Sequence, residues 1–177
     1  MAFANKGDIQ RMRPLLTGNN SVLSPLAIPV TAATAYNVGD VIAIAAGRAT
    51  LAAAASTTII GVALNKVAAI AAPTNQDVLL IAPALPGALF LGTFVGGAAT
   101  DVTATDAMVG ATTLYDIVVE TDTGGSIYCV NQGDPTGAMC RVLAYPLAQT
   151  RGRIFATGVT VNPQVVFSFD TTGTVFA

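Results

Sequence analysis

Histidine and tryptophan are absent from this 177-residue chain, glutamate occurs once, as Glu120, and lysine twice, as Lys6 and Lys66. These absences remove most of the reagents of enzyme chemistry, because general acid–base catalysis relies on His, Glu, Asp and Lys with tuned pKa values. Without histidine there is no Ser-His-Asp or Cys-His site. A Ser-Lys dyad would need Lys6 or Lys66, and Lys66 reads as a solvated lysine at a strand end. The carboxylate pairs Asp101 and Asp106, Asp116 and Glu120, and Asp122 and Asp134 lie near turns or strand ends, where turn chemistry accounts for most of them. No EF-hand order, zinc spacing or phosphate-binding glycine loop is present. The sequence therefore predicts no catalytic residue, no cofactor and no metal site.

Charge is also scarce. Charged residues make up 10% of the chain, against roughly 25% in an ordinary globular protein. Eight basic residues cannot build a phosphate-tracking stripe, so no nucleic-acid partner is expected. Arg151-Gly152-Arg153 reads as charge placed to blunt an edge strand. A net charge of −2 gives little repulsion between copies, which suits a chain that lives in an assembly. The opening, MAFANKGDIQRMRPLL, has no apolar run of the length a secretion signal needs. A reducing compartment is then expected. The stretch Val78–Thr100 carries no charge and is long enough to span a bilayer. Pro83, Pro86, Gly87, Gly92, Gly96 and Gly97 interrupt it, so it reads as two buried strands joined by a Pro-Gly turn, and no membrane association is expected. Cys129 and Cys140 flank a loop with a turn at Asp134–Gly137. They read as apolar thiols in adjacent strands of a hairpin, with a cross-strand disulfide left open.

What the chain does hold is Ala, Thr, Val and Gly in short apolar runs. Tyr36–Asp40 forms a turn into Val41–Ala45, and Gly47-Arg48 a second turn. Further runs follow at Ile59–Asn65, Val78–Ile81, Ala88–Phe94, Leu114–Glu120, Ser126–Val130, Ala138–Tyr145, Ile154–Ala156, Val165–Phe169 and Val175–Phe176. Short strands separated by Gly, Pro, Asn and Asp predict an all-β fold, a small antiparallel barrel or sandwich. Val78–Ile81, an unbroken apolar run, is expected to be buried on both faces. Ala52–Ala55 is ambiguous because Ala favours helix, and Val67–Ala72 is open between helix and strand. Residues 1–35 differ: Pro14, Pro25 and Pro29 interrupt any period. They predict an extended N-terminal arm, with a short helical turn near Ile9–Leu16, preceding a β-rich domain at 36–177. The arm holds too many apolar residues for a solvated tail, so it is expected to pack on either this domain or a neighbouring subunit, with capsid or subunit contact beyond its own domain, and deletion of residues 2–30 is expected to leave the β domain folded.

The order of words along the chain is specific in a way that each word is not. Tyr36-x-x-Gly39-Asp40-Val41 is followed by a glycine turn, an Ala/Ser/Thr stretch, Ile59-Ile60-Gly61-Val62-Ala63-Leu64, and Asp77-Val78-Leu79-Leu80-Ile81-Ala82-Pro83. Downstream come Leu114-Tyr115-Asp116-Ile117, Tyr128-Cys129-Val130-Asn131, an Asp-Pro loop and Cys140-Arg141-Val142-Leu143-Ala144. Over residues 36–145 this order resembles the small β-rich head decoration, or cement, proteins of tailed bacteriophages. The resemblance implies a structural protein without catalysis, made in the host cytoplasm and bound as a homotrimer to the outer surface of a virion shell, its partner being the major capsid protein. Ile9, Arg11, Met12, Arg13, Leu15 and Leu16 of the arm are the expected contacts with capsid or neighbouring subunit. The alternative is a tail, fibre or other surface module that binds carbohydrate or a host receptor. Four scattered tyrosines, Tyr36, Tyr115, Tyr128 and Tyr145, and no tryptophan give that alternative no evident aromatic platform.

Overall fold

The computed structural model describes residues 11–15, 24–96, 108–110, 113–122, 125–132, 139–145 and 164–176. The fold is all-β, and no helix occurs among these residues. The strands are β1 (Arg13–Pro14), β2 (Leu26–Pro29), β3 (Val41–Ala45), β4 (Arg48–Leu51), β5 (Ile59–Ala63) and β6 (Val78–Pro83). They continue with β7 (Phe90–Val95), β8 (Asp116–Asp122), β9 (Gly125–Asn131), β10 (Cys140–Ala144) and β11 (Gln164–Phe169). A five-stranded sheet runs β2-β6-β5-β3-β4, and a six-stranded sheet runs β10-β11-β7-β9-β8 with β1 also on β7. Pairing is antiparallel except between β7 and β9.

Each sheet curls until its outer strands nearly meet. Val30 bridges Ala49, tying the end of β2 to β4, and Tyr115 bridges Cys140, tying the start of β8 to β10. Each tie is one bridge pair, not a full ladder, so the molecule is a sandwich of two curled sheets. Right-handed strand twist supplies the curl. Gly61 sharpens it in the five-stranded sheet. Register shifts between Ile42 and Ala43, which face Gly61 and Ile59, so Ile60 is an inserted bulge residue. A Cβ on Gly61 would collide with the Ala82 carbonyl oxygen.

The bulge lets the adjacent strand residues serve two cores. Ile42, Ile60, Ala63, Leu79 and Ile81 turn into the curl of the five-stranded sheet around Tyr36. Val41, Ala43, Ile59, Val62, Ala82 and Ala84 turn the other way, onto the six-stranded sheet. There they meet Phe90, Phe94, Phe167 and Phe169. Phe90 and Phe167 each lie edge-on to Phe169, with ring centroids 5.2 and 5.3 Å apart, the arrangement aromatic quadrupoles favour.

Several expectations change. Val78–Ile81 is not buried on both faces: Leu80 is 39% exposed while Leu79 and Ile81 are buried, because the six-stranded sheet covers only the far end of that face. Ala52–Ala55 is neither helix nor strand but runs through a turn, and Val67–Ala72 is irregular apart from the bridge between Val67 and Tyr36. Thr174 bridges Ile59, but Val175–Phe176 forms no strand. Strands β9 and β10 follow one another yet are not neighbours. Cys129 and Cys140 are therefore not in adjacent strands; both thiols are free and buried.

Arg11–Leu15 is extended, not a helical turn. Both described parts of residues 1–35 are built into the sheets. Arg13 and Pro14 pair with Leu91 and Phe90, and β2 pairs along β6. Deleting residues 2–30 would remove a strand from each sheet, so the truncated chain is not expected to keep this fold. Ile154–Ala156, Arg151-Gly152-Arg153 and the Asp134–Gly137 turn lie outside the described residues.

Candidate functional site

The residues expected to contact a partner converge on a junction where Arg11–Leu15 touches both sheets. Met12 is fully buried in the inter-sheet core of its own chain. Gly92, on β7, leaves it room: a Cβ there would lie 3.3 Å from Met12 Cγ. Leu15 is half-buried, and its amide donates to the Leu89 carbonyl at 2.8 Å. Arg11 is half-buried, and its Nη1 donates to the Ser126 carbonyl at 2.8 Å. The same nitrogen lies 3.8 Å from Asp40 Oδ1. Arg13 is the exposed member of the group. Ile9 and Leu16 lie outside the described residues.

The Tyr36–Val41 motif is the seat for this segment, and Tyr36, Gly39 and Asp40 each have a physical task. Tyr36 is wholly buried and its hydroxyl donates to the Ala49 carbonyl at 2.5 Å. Gly39 has φ +87°, and a Cβ there would come within 2.7 Å of the Met12 carbonyl oxygen and 2.8 Å of Arg11 Cβ. Only glycine combines that conformation with that closeness. Asp40 closes the turn by accepting the Asn37 amide at 2.7 Å on Oδ2. Burial raises its pKa, opposed by that amide and by the Arg11 guanidinium. Its Oδ1 is buried without a hydrogen-bond partner. Arg11 at 3.8 Å is its compensation, at a separation where an ion pair is weak.

A second junction joins the sheets through the Ala-rich tract. Tyr128 on β9 donates to the Ala52 carbonyl at 2.9 Å. The Asp116 carboxylate accepts the Ala55 amide at 3.1 Å on each oxygen, and the Ile117 amide at 2.7 Å. Ala55 holds φ 58°, which costs a non-glycine residue roughly 1 kcal/mol or more; the paired carboxylate contacts offset it. Sequence reasoning missed Asp116 and Tyr128 as clasps. The signal lay in polar groups set within apolar runs, which must find partners if buried.

Away from these junctions, Asp77, Asp170 and the two cysteines are engaged or buried. Asp77 accepts the Thr74 amide and hydroxyl at 2.7 and 2.9 Å, and these bonds lower its pKa. Burial pushes Asp170 up, but Thr172 and Arg141 outweigh it and hold it below its ordinary value. Burial pushes the Cys129 thiol up to about 12, reinforced by Glu120. Cys140 is raised well above the usual thiol range by burial and then by Asp116 and Asp170. Both are protonated at neutral pH and poor nucleophiles. Among the described residues no group of three His, Cys, Asp or Glu could hold a metal ion, and no helix is long and apolar enough to cross a membrane.

Of the four tyrosines, Tyr36, Tyr115 and Tyr128 are buried and Tyr145 is half-buried. No protein family, characterised protein or solved structure matches the chain.

Proposed function

We propose that this chain is a non-catalytic structural protein of a virion, a cement protein that binds the outer surface of a capsid shell as a homotrimer and stabilises it. The observation that carries the proposal is what the carboxylates do. Asp40, Asp77, Asp116 and Asp170 each accept a backbone amide that fixes a turn or a sheet junction. With both thiols buried and protonated as well, these described groups serve turns and the junction of the two sheets. The order of motifs from Tyr36 to Ala144 supports the cement reading in particular. So does a surface with few charges and with exposed Leu26, Val38, Leu51, Leu80 and Leu85. Binding that favours the assembled shell stabilises it by mass action and requires no reactive group. The carbohydrate-binding alternative loses support from the burial of Tyr36, Tyr115 and Tyr128, since sugar platforms use exposed aromatic faces.

The test is reconstitution. Purified protein is added to heads from the source virus that lack it, and occupancy and heat-induced genome release are measured. Saturable binding to intact heads and release at a higher temperature are expected. Binding to isolated tails with none to heads would overturn the proposal.

A further inference from the structure

Little backbone holds Arg11–Leu15 to its own chain. β1 adds two pairs to β7, Arg13 with Leu91 and Pro14 with Phe90, and Pro14 has no N–H to give. The Leu15 amide adds one bond to the Leu89 carbonyl. The rest of the attachment is Met12 in the core and Arg11 against the Gly39-Asp40 turn. A unit with so few backbone bonds opens ahead of the core. Its seat covers a carboxyl that is 2% exposed. An ionised carboxylate can accept about four hydrogen bonds, yet Asp40 has the Asn37 amide on Oδ2 and no partner on Oδ1. The Arg11 nitrogen 3.8 Å from Oδ1 donates to the Ser126 carbonyl.

We propose that Arg11–Leu15 is a latch set by Asp40: the segment docks most tightly while Asp40 carries a proton, and it loosens from the sheets as Asp40 ionises. The inference stands apart from the cement reading and holds whatever the chain binds. The groups around Asp40 fix the sign. From the segment comes the Arg11 guanidinium, and from β9 the Tyr128 phenol, whose proton goes to the Ala52 carbonyl. β5, whose Ala63 amide donates to the Asp40 carbonyl at 2.9 Å, carries no titratable side chain from Ile59 to Ala63. One cation beyond hydrogen-bond distance is thus set against near-complete burial. Burial wins, and the carboxyl is raised above 3.8. Because the Arg11 and Met12 backbone lies against Gly39, release of the segment opens this turn to water and returns Asp40 towards its ordinary value. Docking therefore takes up a proton. The added preference for the docked form is fully present below the ordinary value and is lost as pH rises through the raised one. Release would uncover Met12 and free β7 at Phe90 and Leu91.

The experiment is amide hydrogen exchange of the full chain from acid to neutral pH, corrected for intrinsic rates. The Leu15 amide reports the segment. The Ala84 amide, which donates to the Ile60 carbonyl at 3.0 Å, reports the core. In wild type the opening constant at Leu15 should rise with pH and then level off, while Ala84 stays more protected throughout. Asp40→Asn, which stays neutral, should remove the rise. Arg11→Gln strips the cation from the ionised carboxyl and should raise opening at least about tenfold at neutral pH, and by less in acid, where Asp40 is protonated. A wild-type opening constant that does not change with pH, or a rise that persists in Asp40→Asn, overturns the inference. So does a Leu15 amide that exchanges only together with Ala84, since the segment would then not open by itself. If Asp40→Asn fails to fold, Arg11→Gln decides alone: an equal effect in acid and at neutral pH overturns the latch.

Discussion

Strand β6 passes between two environments within three residues. Ala82 lies under the six-stranded sheet and Leu80, on the same face, stands in solvent. The covered position holds the smaller side chain. Two sheets stacked about 10 Å apart must share that gap, and here Phe90, Phe94, Phe167 and Phe169 fill it from the opposite side. The uncovered position has no such limit. Side-chain size along this face therefore follows what lies across from it, and hydrophobicity by itself does not separate covered from uncovered positions.

The largest way to break the covered half is at its bulge. Gly61→Ala drives a Cβ into the Ala82 carbonyl and should cost more than about 3 kcal/mol, read as a fall in urea midpoint or loss of soluble protein. Next is the residue that the N-terminal segment contributes to the same core. Met12→Ala should cost about 3 kcal/mol by cavity formation, and a near-neutral result would mean that Arg11–Leu15 is not part of the folded unit. The third test sets the two halves side by side. Ala82→Leu should destabilise by about 2 kcal/mol through overpacking, whereas Leu80→Ala should move stability by less than about 0.5 kcal/mol. Equal effects would erase the distinction.

The smallest expected effect concerns the seat of the N-terminal segment. Asp40 has its pKa raised from 3.8 by burial, so between the unfolded and the raised value the folded chain holds more of this proton than the unfolded chain does. Its contribution to stability is fully present below the unfolded value and is lost as pH rises through the raised one. Asp170, held below 3.8, acts oppositely: its contribution is present above the unfolded value and lost as pH falls through the folded one. Denaturation midpoints of wild type and Asp40→Asn across the acidic range isolate the first term. Wild type should lose stability relative to the variant as pH rises; a difference that grows the other way would place Asp40 in a strong ion pair with Arg11.

The all-β class was legible because β-branched runs punctuated by Gly and Pro leave few alternatives. Val165, Phe167 and Phe169 alternate with half-buried neighbours, the simplest pattern to read. Two things were not legible. Which strands neighbour one another depends on long-range pairing, so β9 and β10 looked like a hairpin although β7 and β8 flank β9. The role of Arg11–Leu15 depends on a seat at Gly39 and Asp40, more than twenty residues away. A proline-spaced apolar segment looks the same whether it docks on its own domain or on another molecule. Of the expected contact residues, Met12 and Arg11 fasten the segment to its own chain, Leu15 is half-buried and Arg13 is exposed. The surface at Leu80 was hidden inside a run that reads as wholly buried.

The proposed cement role puts this chain on the outside of a shell. Cryo-electron microscopy of the source particle tests that most directly. A cement protein gives density for the two curled sheets on the outer surface of the head, at local threefold positions. Particles whose heads carry no such density, or that show it only on the tail, would contradict it.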